Sequence, residues 1–475
     1  MKNIFIILLL FFWVDSHAQI FLPALISDHM VLQQKKAVNL WGKGIPNKNI
    51  SIYTSWDKKK YKVAVSSDST WILSINTPKA GGPYFIEFTE GKHQLKIEDI
   101  LIGEVWLCSG QSNMEMPLKG FFGQPVQNSQ DVILAAKSTQ PIRLLTLPQI
   151  YSKSPLDTIS AQWQLNVPEN VADFSAVAYF FGQLLQKQLN VPIGLIDASW
   201  SASKIETWID RKMIEEFVPE IDFLDVDTVP EKSINYPHGR GGLVYNGMIN
   251  PILNMTIKGV VWYQGEANIE NPTLYEKLFS LWINNWRKEF RDPEMPFYYT
   301  QLVPFEYKGL GPTILPEFQQ MQLKLMDTIS NIGMAFTTDL GEAEFIHPSK
   351  KKEIGERLGH WALSQTYGVK AIICKGPVAS KYEKNGNRIL ISFDNATNGL
   401  MPHYETIIGF ELLDKDGHLC PVEGRIKQWT SSVEIQDDRL IDASQIRYGF
   451  RNYIETNLKN TAGLPASPFC IDLKK

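Results

Sequence analysis

The sequence predicts an α/β protein: a central domain built on a mostly parallel sheet, with a β-rich domain on either side of it. Three observations lead there. A chain of 475 residues is too long for one hydrophobic core, so two or three domains are expected. Between about residues 100 and 368, strand-like apolar runs (ILIGEVWLC, VPIGLIDAS, IKGVVWYQG, MPFYYTQL, IGMAFTTDL) alternate with helical patterns such as FSAVAYFFGQLLQKQL and PTLYEKLFSLWINNWRKEF, the rhythm of β-α units. Before and after that stretch the texture is one of short alternating runs between turns, with no helical period.

Taken in order, the chain opens with Lys2 and the apolar run IFIILLLFFWV, followed by the small and polar DSHAQ. A charged start, an apolar middle and an A-x-A-like end (Ser16, His17, Ala18) describe an export signal over residues 1–18, cleaved near Ala18. The run is too short for a good membrane span, and no other stretch approaches the length needed. The protein is therefore expected outside the cytoplasm, periplasmic or extracellular. Residues 19–100 (VNLWGKG, NISIYTSW, KYKVAVSS, TWILSIN, YFIEFTEG, HQLKIED) read as a small β-sandwich, and residues 101–368 as the α/β domain. Residues 369–475, with RILISFDN, TIIGFELLDKDG and SSVEIQDD, form the second β-rich domain. A formal charge of -4 leaves no basic excess to neutralise phosphates, which argues against nucleic acid as a partner. The four cysteines (Cys108, Cys374, Cys420, Cys470) show no C-x-x-C spacing, and there is no H-E-x-x-H, so neither a metal site nor a cofactor is expected.

In a parallel α/β sheet, functional residues gather beyond the C-terminal ends of the strands. Three segments satisfy that rule here. Ser112 follows ILIGEVWLC in SGQSNM, Asn268 follows IKGVVWYQG in WYQGEAN, and His347 follows IGMAFTTDL in GEAEFIHPSKKKEIG. Pro348 stands where a helix could start, with Ile354, Leu358, Trp361 and Ala362 at helical spacing after it, so His347 is expected to cap that helix. A serine and a histidine at strand ends of one sheet are the residue types of nucleophilic catalysis, in which the imidazole takes the hydroxyl proton. Of the other histidines, His238 in NYPHGRGG is the next candidate base. No G-x-S-x-G is present, so the nucleophile elbow of the α/β-hydrolases is absent.

GQSNM, WYQGEAN and IHPSKKKEIG resemble the sialate O-acetylesterase family, within the SGNH-type hydrolases. FLPALISDHMVLQQ, YNGMINPI, IRYGFRNYIETNL and GLPASPF extend the resemblance over nearly the whole chain after residue 18. The resemblance implies a central SGNH-type three-layer domain and a serine carboxylic-ester hydrolase acting on an O-acetylated carbohydrate. It assigns Ser112 as nucleophile and His347 as general base. The oxyanion hole would be formed by the amides of Ser112 and Ala202 and the side chain of Asn268, and Gln111, Gln264 and Glu266 would line the substrate site.

Two departures from the family pattern stand out. Where relatives carry a Gly-Gly pair, this chain has Ser201 and Ala202 in SWSASKIETW, so a positive φ there becomes costly. Where many relatives have an aspartate two residues before the histidine, this chain has Phe345. Glu344, at the D-x-x-H position, is then the expected acid partner of His347, with Glu342 and Asp339 as substitutes. Within esterase chemistry an acetylated sialic acid and an acetylated xylan are both open as substrates. The reading from another class is a carbohydrate-binding relative with an impaired site.

Overall fold

The structure, a computed structural model, describes residues 20–473; the expected export signal lies outside the described residues. Its backbone is one large mixed sheet carrying the helices, followed by an antiparallel β region with a core of its own. The central strands lie in the order Ile332–Ala335, Phe297–Thr300, Gly259–Tyr263, His93–Gly110, Ile193–Ser199, Ile142–Thr146, Gln164–Leu165. Every pairing in this series is parallel except the last. The chain enters at the middle strand, builds one side, then crosses to the other, so a switch in strand order falls beside residues 104–110. Such a switch leaves a crevice at the C-terminal strand ends, because successive connections depart to opposite sides.

The middle strands are apolar on both faces, as burial between layers requires: residues 193–199 and 259–263 are buried throughout. The two helices expected from sequence form over Ala176–Leu189 and Pro272–Glu289. Ser175 caps the first by accepting from the Ala178 N–H, and Asn271 caps the second through the Leu274 N–H.

The expected boundary near residue 100 falls inside one continuous strand, His93–Gly110. Its first half pairs with Gly81–Glu90 in the N-terminal β region and its second half is the centre of the parallel sheet. Accordingly the N-terminal apolar residues Val38, Leu40, Ile52 and Phe88 belong to the same continuous core as Trp106, Ile196 and Val261. The C-terminal region differs. Seven of its strands, from Val378–Asn385 to Phe469–Asp472, pair antiparallel around a separate core that includes Ile391, Phe410, Ile435 and Tyr448. All four cysteines are free thiols, and Cys108 is fully buried in the middle strand. Among the described residues, no helix is long and apolar enough to cross a membrane.

Candidate active site

The middle strand's register sets the site. Gly110 is paired with Ser199 on one side and Tyr263 on the other. The segments that follow, at 111–116, 200–204 and 264–268, therefore leave the sheet at the same height. Gly110 takes φ +146°, and a Cβ there would stand 2.1 Å from the Tyr263 carbonyl oxygen, so only glycine lets the strands approach this closely. The backbone then turns into a four-residue helix, Ser112–Glu115. Gln111 is buried and braces this turn. Its N–H donates to Tyr263 O at 3.0 Å, and its Oε1 accepts the N–H groups of Gly265 and Ala267, each at 3.2 Å. Ser112 sits at the first helical position, where a backbone N–H has no partner within the helix.

The neighbouring strand supplies the 200–204 turn. Trp200 N–H donates to Gly110 O at 3.0 Å, and the Glu115 carboxylate takes the Ser201 N–H. Ala202 holds φ +56°, the left-handed conformation that a glycine adopts more readily, and its carbonyl accepts the Tyr236 hydroxyl. Ala202 thus holds a conformation that carries strain for a residue with a Cβ. Asn268 is held by its neighbours: Oδ1 accepts from Ile205 N at 3.0 Å and Gln264 Nε2 at 2.8 Å, while Nδ2 donates to Glu206 Oε2 at 2.9 Å. A carboxamide nitrogen carries two N–H bonds, so one remains beyond the contact with Glu206.

His347 is half-buried against the Phe121 ring, 5.3 Å between centroids. Its Nδ1 lies 2.6 Å from Gln124 Oε1. An amide oxygen can only accept, so Nδ1 carries the proton and Nε2 presents a lone pair, the form a general base needs. Burial, aided by the nearby Lys351 charge, pushes the imidazole down to about 4, so it is neutral near pH 7.

The structure therefore corrects the acid partner. The Glu344 side chain is 69% exposed and pairs with Lys308 Nζ at 3.0 Å, away from the imidazole. Asp339 is locked to Arg357 and Lys459, and Glu342 binds the N–H and hydroxyl of Ser349, each at 2.8 Å. These bonds to Ser349 also explain why His347 caps no helix: they hold residues 348–349 outside it, and the helix begins at Lys351. The orienting group is Gln124, on a loop more than two hundred residues earlier, which no spacing pattern in the sequence marks.

Of the residues expected to line the substrate site, Gln264 is fully buried, with Nε2 donating to Ser203 O at 3.0 Å. Glu266 is buried and accepts from Asn113 Nδ2 at 2.5 Å. Both brace the site from behind. Asn113 also donates to Ile346 O at 3.0 Å, so the residue after Ser112 is bonded to the residue before His347. His238 lies on the other side, stacked on Trp200 at 5.2 Å with its carbonyl accepting from Lys204 N–H. Among the described residues, one group of acids and histidine is tight enough for a cation: Asp414, Asp416 and His418, on a turn of the C-terminal region. There Asp414 Oδ1 accepts the N–H groups of Asp416 and His418.

The fold and its likeness to known proteins place the chain among the carbohydrate esterases, a class of ester hydrolases. Residues 102–364 match the family of sialic acid-specific acetylesterases among the carbohydrate esterases. Human sialate O-acetylesterase is 30% identical over 425 residues, covering 82% of this chain and 79% of its own length. The mouse enzyme of the same name is 30% identical, covering 75% of each chain. The crystal structure of a carbohydrate acetylesterase from Xanthomonas citri superposes with a TM-score of 0.84 at 28% identity, over 96% of this chain and 100% of that one. The chain belongs to the sialic acid-specific acetylesterase family.

Proposed function

We propose that the chain is an exported carbohydrate O-acetylesterase working through a serine acetyl-enzyme. Ser112 Oγ attacks the acetyl carbonyl while His347 Nε2 takes its proton. The tetrahedral oxyanion is met by the amides of Ser112 and Ala202 and by the remaining N–H of Asn268, and each well-aimed donor contributes roughly 3–4 kcal/mol to the transition state. The ester C–O bond breaks, His347 gives the proton to the departing sugar oxygen, which leaves as the hydroxyl, and a water activated by the same imidazole then releases acetate. The observation that carries this reading is the Asn113 bond to Ile346 O, which ties the serine turn to the histidine loop.

An O-acetylated sialic acid is the substrate suggested by the names of the curated relatives, with acetylated xylan as the alternative. The test is hydrolysis of p-nitrophenyl acetate by wild type beside Ser112→Ala, followed by acetate release from O-acetylated sialic acid and from acetylated xylan. Loss of activity in the variant supports the mechanism, and the faster natural substrate names the class. A binding relative with an impaired site is the second reading, favoured by the absence of a carboxylate on His347 Nδ1. A wild-type protein that binds acetylated glycan without releasing acetate would establish it. Export is tested by mass spectrometry of the protein outside the cytoplasm, with a chain starting close to Gln19 as the expected result.

A further inference from the structure

Behind Ser112 and His347 lies a group of buried polar side chains that the acyl-transfer steps do not use. Lys351 opens the helix Lys351–Trp361 and is 0% exposed. Its ammonium donates to Asn113 Oδ1 at 2.5 Å and lies 5.5 Å from the centroid of the Tyr263 ring. Asn113 itself is fully buried, and its nitrogen donates to Glu266 Oε1 at 2.5 Å and to Ile346 O at 3.0 Å. One carboxamide thus joins three separate parts of the chain. Its two donors reach the 264–268 turn and the histidine loop, and its acceptor receives the first residue of the helix that follows.

Lysine is almost never fully buried unless paired, and a buried amine and acid bridged by an amide cost more desolvation than apolar side chains of the same volume. Burial pushes the ammonium down to about 7 and the Glu266 carboxyl up, each charge partly opposing the neutralisation of the other. Glu266 Oε2 has no hydrogen-bond partner, which packing alone would not select. Resting on the serine–histidine reading above, we propose that Lys351 is a positioning residue that, through Asn113, locks the turn carrying Ser112 to the loop carrying His347.

The same lysine acts electrostatically. The charge acting on the imidazole is that of Lys351 from the following helix, and Glu266 from the 264–268 turn and Glu342 from the preceding loop act in turn on Lys351. Gln124, across the ring, is neutral, and Glu344 faces Lys308. With Lys351 at about 7, it is protonated throughout the lower pH range in which the imidazole titrates, and it opposes imidazolium there. Base and nucleophile are thereby held in register, and the imidazole stays unprotonated to lower pH than it would without the lysine charge.

The test compares wild type, Lys351→Met, Asn113→Ala and Ser112→Ala on p-nitrophenyl acetate from about pH 3 to about pH 8, a range that brackets both the depressed value of about 4 and an ordinary imidazole. Lys351→Met is expected to lose about 10- to 100-fold in kcat with KM within about twofold, because misplacing a reacting pair slows chemistry more than binding. Its acid limb should move up from that of wild type by part of the shift only, since burial, the larger cause, remains. Asn113→Ala should lose a similar factor in kcat while its acid limb stays below that of Lys351→Met, since the lysine charge remains. A folded Lys351→Met with wild-type kcat overturns the inference, as does a lower kcat with an unmoved acid limb, which would mark the lysine as structural only. If Lys351→Met does not fold, Lys351→Gln and Asn113→Ala decide between the same outcomes. Ser112→Ala separates the two levels. Activity kept in that variant overturns the serine reading and this inference with it. A dead Ser112→Ala beside an unimpaired Lys351→Met overturns this inference alone.

Discussion

The turn that carries Ser112 and the loop that carries His347 meet at the C-terminal end of the sheet, yet they are held by different means. The serine turn is fixed by backbone: the register of Gly110 between Ser199 and Tyr263, and peptide N–H groups bonded across strands. The histidine loop, with His347 twelve residues beyond the end of its strand, is fixed by side chains brought from elsewhere: Gln124 on the imidazole, Asn113 on Ile346 O, Glu342 on Ser349. A site half of which rests on sheet geometry should tolerate little change there. The half resting on side chains should be adjustable one bond at a time.

Removing either reacting group is the largest break. Ser112→Ala and His347→Ala are each expected to lose about a thousandfold or more in kcat/KM, and to a similar extent, because the pair acts as a unit. A His347→Ala enzyme near the wild-type rate would move the base elsewhere, with His238 next in line. Gly110→Ala attacks the backbone half. Its Cβ would meet Tyr263 O at 2.1 Å, so Tm should fall by an amount reflecting about 1–3 kcal/mol, and activity should fall with it. A variant as stable and active as wild type would show the register to be looser than described.

The side-chain half gives graded effects. Gln124→Ala frees the imidazole to rotate and should lower kcat by about tenfold, with Gln124→Glu retaining activity and moving the acid limb upward, because a carboxylate favours imidazolium. The acid limb of the wild type should lie near pH 4, as the buried imidazole is held down to about 4. Its folded value lies below its unfolded value, so its contribution to stability is complete above about pH 6.5 and is lost as pH falls toward about 4. Thermal unfolding across that window checks the sign. Glu344→Gln, expected from sequence to impair the enzyme, should instead leave kcat/KM within about twofold, since an exposed pair with Lys308 contributes little. The smallest effect belongs to Ala202→Gly. It relieves a left-handed alanine and should shift stability by no more than about 1 kcal/mol with activity kept, measurable as a small change in Tm.

The sequence by itself determined the alternation of strands and helices, the placement of Ser112 beyond an apolar strand, and the cost of alanine at a left-handed turn, because these depend on local period and on φ/ψ preferences. His347 was legible too, as a histidine following the sheet's last strand. Its orientation was not. Glu344 stands at the spacing an acid partner would occupy, but Lys308 draws it into solvent, while Gln124 reaches the imidazole from the loop after the serine turn. The domain boundary also escaped the pattern, since one strand of eighteen residues runs from the N-terminal β region into the parallel series and the change of texture near residue 100 lies within it. Only the tertiary structure decided these points: a hydrogen-bond partner is chosen by distance and direction among groups that the fold brings together, and sequence separation carries no information about either.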